Sequence, residues 1–153
     1  MLRRRVTRTR KGEYVLRLPP EERAVLRELP GQLRELLGSD DPSLHRLFPP
    51  AYTDDIEHEA EYQRYMGDDL LESHKRALEV MEETIDAERL DEEQLTGWLG
   101  ALNDLRLVLG TRLDVTEDMY EDGIPPDDPR APAFALYSYL GWLQEQVVEA
   151  LAH

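Results

Sequence analysis

Residues 95–113 read as one helix that is apolar around most of its circumference, and only the middle of a helical assembly can hold such an element. Leu95, Trp98, Leu102, Leu105, Leu109 and Leu113 recur at three- and four-residue steps, while Leu99, Leu107 and Val108 widen the stripe. Asn103, Asp104, Arg106 and Arg112 interrupt it. A desolvated amide or guanidinium without a partner costs about 1–3 kcal/mol. Asn103 and Arg106, three residues apart on one face, are therefore expected to hydrogen-bond to another helix, a loop carbonyl or a carboxylate. The simplest role for this polar set, Asp104, Arg112 and the following Asp114 included, is to fix how helices dock. A ligand or partner site is the alternative.

The rest of the chain supplies elements to surround this helix. Tyr14, Leu16 and Leu18 alternate with Val15 and Arg17, so residues 2–8 and 13–18 predict a two-stranded hairpin with Gly12 in the turn and the basic residues mostly facing solvent. Pro19-Pro20-Glu21-Glu22 opens a helix with prolines in the first turn and acids at its positive end. Its apolar face runs from Val25 to Leu37, and Pro30-Gly31 is expected to kink or split it. A short turn carries Leu44, Leu47 and Phe48. A long helix is expected from about Thr53, which can cap it, to Ala87, with a possible bend at Gly67. Asp91-Glu92-Glu93 opens the central helix, and a last helix runs from Ala133 to about Leu151, where small Gly141 permits a close crossing. The stretch between Asp114 and Pro132 is acidic and too rich in proline to be expected regular. The reading is a mainly α, four-helix bundle-like single domain over residues 1–153, with a short N-terminal β-hairpin (1–18) on an acidic helical body (19–153).

Charge is divided unevenly. Residues 1–18 hold seven basic residues (Arg3, Arg4, Arg5, Arg8, Arg10, Lys11, Arg17) against Glu13 alone, a net of +6; the remainder holds 11 basic and 32 acidic residues, a net of −21. A body that acidic repels nucleic acid within the Debye length of about 8–10 Å and favours basic protein partners. The arginines of the hairpin are candidates for binding a partner, Arg3, Arg4, Arg5, Arg8 and Arg10 above all, or for guarding a strand edge against unwanted pairing.

The sequence contains no cysteine, which removes disulfides, thiolate metal sites and thiol switching from this chain. Asp55-x-x-His58, with Glu57, Glu59, Glu61, Glu72 and His74 on the same predicted helix, raises a ferritin-like di-metal site, but no second helix offers a matching Glu-x-x-His pair. These carboxylates read as a solvated face, and His74, between Leu70 and Leu78, as a structural histidine. The acids from Glu117 to Asp128 lack calcium-loop spacing. Neither a glycine-rich phosphate loop nor a nucleophile elbow is present. The expectation is a non-enzymatic protein without metal or cofactor. No apolar run is long enough to span a membrane, and Arg3-Arg4-Arg5 leads into polar sequence rather than a signal-peptide core, so a cytoplasmic protein is expected.

The block Leu102-Asn-Asp-Leu-Arg-Leu-Val-Leu-Gly-Thr-Arg-Leu-Asp-Val-Thr-Glu-Asp118, with Asp41-Pro42, Arg46-Leu-Phe-Pro-Pro-Ala-Tyr52 and Tyr137-Ser-Tyr-Leu-Gly-Trp-Leu-Gln144, resembles the actinobacterial oxidative stress regulator (AosR-like) family, long catalogued only as a domain of unknown function. The resemblance runs in order over nearly the whole chain. It implies a transcription-associated stress regulator that works by protein contact, with an alternative sigma factor or RNA polymerase as partner. The redox response described in that family depends on cysteines that this sequence lacks. The alternatives are a direct DNA binder through the arginine-rich hairpin, an adaptor in regulated proteolysis, and a small-molecule or metal enzyme of the bundle core.

Overall fold

The structure is a computed structural model; it describes residues 4–39, 41–48 and 56–152, the side chains of 56–68 and of Tyr120 excepted. Two strands, β1 (Val6–Arg8) and β2 (Tyr14–Leu16), form the expected hairpin, with Val6 opposite Leu16 and Arg8 opposite Tyr14. Gly12 closes the turn at φ 84°, a left-handed conformation that glycine adopts without Cβ strain. Along β2, Tyr14 and Leu16 are buried and Val15 is half-exposed.

Helix α1 spans Pro20–Leu37 and is not split at Pro30. The Pro30 ring is fully buried, so packing offsets the backbone hydrogen bond that proline cannot make. A 3₁₀ turn at Pro42–Leu44 begins a short strap, held by Asp41, whose carboxylate accepts from the Ser43 amide at 2.8 Å. Helix α2 spans Ile56–Glu83 and passes through Gly67 without interruption. The proposed cap at Thr53 lies outside the described residues. Between α2 and the central helix, Arg89–Leu90 forms β3, which pairs antiparallel with β2 and makes a three-stranded sheet of order β1-β2-β3. Two residues carry no periodicity to betray them, and the pairing arises only in the folded chain.

Central helix α3 (Glu92–Leu113) opens with a reciprocal cap: the Asp91 carboxylate accepts from the Gln94 amide at 2.7 Å and the Gln94 side chain accepts from the Asp91 amide at 2.9 Å. It packs against α1, α2, the strap and α5 (Ala131–Ala152). Leu95, Trp98, Ala101 and Leu102 are wholly buried. The Trp98 indole donates to the Thr84 hydroxyl at 2.6 Å, and that hydroxyl donates to the Val80 carbonyl at 2.6 Å, so the largest core side chain leaves no polar atom unpaired. The close crossings are at Gly97, where an added Cβ would lie 2.7 Å from Val80, and Gly110, where it would lie 2.8 Å from Tyr137. Gly141, expected to fill that role, would meet nothing nearer than 3.6 Å.

The acidic stretch is more ordered than its prolines suggest. Helix α4 (Glu117–Asp122) begins at Thr116, whose hydroxyl accepts from the Met119 amide at 3.3 Å, and Met119 is buried. Among the described residues no helix is long and apolar enough to cross a membrane.

Candidate functional site

The polar residues of α3 divide by what they meet. The Asp104 carboxylate, 4% exposed, lies 2.6 Å from His74 Nδ1 on α2, and His74 Nε2 lies 3.1 Å from the Leu47 carbonyl of the strap. Both neighbours are acceptors, so the site favours the protonated imidazole, which can donate from both ring nitrogens. Its pKa is accordingly raised from the ordinary histidine value, chiefly by the hydrogen bond to Asp104. The Phe48 ring meets the imidazole edge-on at 5.3 Å. About two helical turns further along α3, Arg112 donates to Asp41 at 3.0 Å and to the Ser43 hydroxyl at 3.3 Å, and Ser43 also donates to Asp41. These bonds, the Ser43 hydroxyl first, hold the Asp41 carboxyl below its usual range. Asp114 ends α3 in the left-handed conformation, φ 52°. Asp104 and Arg112 thus fasten the strap to the core.

Asn103 and Arg106 face α5 instead. Gln144 donates to the Asn103 side-chain carbonyl at 3.3 Å. Arg106 finds neither the carboxylate nor the carbonyl expected from the sequence: its Nε is sealed from solvent with no acceptor, as is the Gln144 Oε1 with no donor. The reason lies in α5, which presents Gly141 and the ring of Tyr137 to the guanidinium, the ring centroid 6.0 Å from its central carbon. Two shallow grooves flank the arginine. One, of about 320 Å³, runs past Gln144, Glu145, Val148 and Glu149; the other, of about 310 Å³, past Phe134, Tyr137, Ser138 and Trp142. Both share Arg106, Gly141 and Glu145, and Phe134 stacks on Tyr137 at 6.2 Å.

The hairpin arginines do not form one surface. Arg3 lies outside the described residues. Arg4 pairs with Glu149 at 3.1 Å, both about half exposed. Arg5, expected at the solvent face, is 6% exposed. Its guanidinium donates twice to Glu22, at 2.9 and 2.6 Å, and lies 5.2 Å from the centre of the Trp142 ring, while its amide donates to Gln146 Oε1 at 2.5 Å. Tyr139 donates to Glu22 at 2.7 Å. The Arg5 hydrogen bonds hold Glu22 below its usual range, and burial, reinforced by that carboxylate, pushes the Tyr139 hydroxyl up. Arg5 is a clasp between β1, α1 and α5; Glu22, read from the sequence only as an acid at a helix start, is its other half. Arg8, Arg10 and Lys11 are exposed near the turn, and Arg17 is exposed at the opposite end of the hairpin.

Of the predicted metal-type cluster, Asp55 and the side chains of Glu57, His58, Glu59 and Glu61 lie outside the described residues. Glu72 is exposed and His74 belongs to the Asp104 bond. Among the described residues no three His, Cys, Asp or Glu side chains converge as a metal site.

The family described as "Domain of unknown function (DUF2017)" matches residues 3–151. A Mycobacterium tuberculosis H37Rv protein named "Oxidative stress regulator AosR" is 28% identical over 176 residues, 88% of this chain and 80% of its own; the Mycobacterium bovis protein of that name matches equally. A Mycobacterium leprae protein carrying the AosR name is 32% identical over 130 residues, 73% of this chain and 59% of its own length, so the chain spans less than two thirds of that relative. No solved structure matches. With nearly every residue inside the family match, the chain belongs to the DUF2017 family and is related to mycobacterial proteins named oxidative stress regulator AosR.

Proposed function

We propose that this protein is a non-enzymatic regulator of the oxidative stress response that acts by contact with another protein, an alternative sigma factor or RNA polymerase being the partner that its family resemblance implies. The relatives' name supports the physiological role. The molecular reading rests on one observation: the outer side of the α3–α5 pair carries Arg106, Tyr137 and Trp142, with Phe134, around two shallow open grooves. Arginine, tyrosine and tryptophan are the side chains that most often dominate protein interfaces, because each brings large rigid area together with a polar end. The lack of cysteine means that a signal reaches this chain through its partner or by another chemistry than disulfide formation.

Affinity capture from an extract of the source cells, read by mass spectrometry, tests the proposal. Enrichment of a sigma factor or polymerase subunits, reduced by alanine at Tyr137 and Trp142, is the expected result. Enrichment of a protease or its adaptor replaces it with a role in regulated proteolysis, and capture of neither overturns it. A direct DNA contact has one observation in its favour, the exposed Arg8, Arg10, Lys11 and Arg17 of the hairpin.

A further inference from the structure

We propose that Arg106 is a receptor for a carboxylate: the α3–α5 grooves take an acidic side chain of a partner protein, flanked by an aromatic or aliphatic residue that packs on Tyr137 and Trp142. This rests on the reading of that face as a protein-contact surface and adds the chemistry of what it contacts. Among the described residues, the other arginines drawn partly out of solvent all meet an oxygen of the same chain: Arg5 meets Glu22, Arg23 the Ile85 carbonyl and Arg34 Glu82. Arg106 is the partly buried arginine that meets none.

Its surroundings select the ligand. With Nε sealed, the guanidinium can offer its two terminal nitrogens, a fork that fits the two oxygens of a carboxylate. The Tyr137 ring beneath it and Gly141 beside it hold the fork in place without neutralising it. Glu145 and Glu149 line the same groove, and the chain carries a net charge of −15, so the dense charge of a run of phosphates is repelled more strongly than the single charge of a carboxylate, which the Arg106 fork can offset. The aromatic wall of Phe134, Tyr137 and Trp142 accepts the apolar neighbour. Glu145, exposed and shared by both grooves, is the chain's own competitor for Arg106.

The test uses the full chain and two blocked dipeptides, acetyl-Phe-Glu-amide and its neutral twin acetyl-Phe-Gln-amide, titrated while the arginine Nε–H and tryptophan indole signals are followed by NMR. The acidic peptide is expected to shift the Arg106 and Trp142 signals saturably, with the neutral twin about 3–10-fold weaker. Arg106→Gln abolishes the difference between the twins in a protein whose melting curve shows it folded. Glu145→Gln, a change at an exposed position, strengthens binding of the acidic peptide. Equal binding of the twins to the native chain, or weaker binding in Glu145→Gln, overturns the proposal. A short DNA duplex that moves the same signals at lower concentration reassigns the site to phosphate and overturns it as well. Twins that bind equally while a sigma factor is still captured from extract refute the carboxylate assignment alone; twins that differ while nothing is captured refute only the regulator reading.

Discussion

At the scale of single residues, two buried or half-buried cations behave oppositely. The His74 imidazolium is satisfied on both nitrogens, by Asp104 and by the Leu47 carbonyl. Its pKa is raised above the usual 6.5 in the folded state, so its contribution to stability is complete below pH 6.5 and disappears as pH climbs through the raised value. The melting temperature is therefore expected to fall as pH rises above about 6.5, and His74→Gln is expected to flatten that slope. Parallel pH profiles for the two proteins would contradict it. Arg106, with its Nε unpaired, loses nothing comparable on removal: Arg106→Leu is expected to leave the melting midpoint unchanged or raise stability by up to about 1 kcal/mol. The spacing of α3 showed which residues are polar inside an apolar helix and that Asn103 and Arg106 share a face, but partners on α5 and the strap depend on how helices rotate about their axes. That is why Glu22 went unrecognised as the partner of Arg5, and why Arg106 was wrongly expected to have one.

Among the elements, the long helices were legible because three- and four-residue apolar spacing and end signals such as Asp91 and Gln94 agree. Strand β3 was not, being two residues long, and α4 was hidden by neighbouring prolines although Thr116 before Glu117 and Asp118 has the form of a helix start. Glycines separate crossing points from free surface. Gly97→Ala drives a methyl to 2.7 Å from Val80 on α2 and is expected to destabilise by about 1–3 kcal/mol, the range for overpacked cores. Gly31→Ala in α1 meets nothing within 4 Å and is expected to stabilise by about 0.5–1 kcal/mol, through helix propensity alone. Chemical denaturation of both variants checks the pair, and equal effects would place the α2–α3 crossing elsewhere.

For the whole molecule, charge sets what can approach. Arg4 and Arg5 are paired with Glu149 and Glu22, and the hairpin surface also carries the exposed Arg8, Arg10, Lys11 and Arg17 against an acidic body. Binding to a DNA duplex is expected to be weak, with a log–log salt slope no steeper than about −4, since each phosphate neutralised contributes about −0.9. A steep slope with sub-micromolar, sequence-preferring affinity would make the hairpin a DNA reader. The Arg5 clasp also governs the order in which the molecule comes apart. Its tie to α5, from the Arg5 amide to Gln146, joins positions 141 residues apart, whereas the His74–Asp104 bond joins positions 30 apart. Closing the longer loop costs about 1.4 kcal/mol more chain entropy, so the tie between the hairpin and α5 is expected to close after the α2–α3 core and to open before it. Amide protons at Leu16 and Arg17, bonded to Glu88 and Arg5, should then exchange with solvent through partial openings that leave those in the middle of α3 protected.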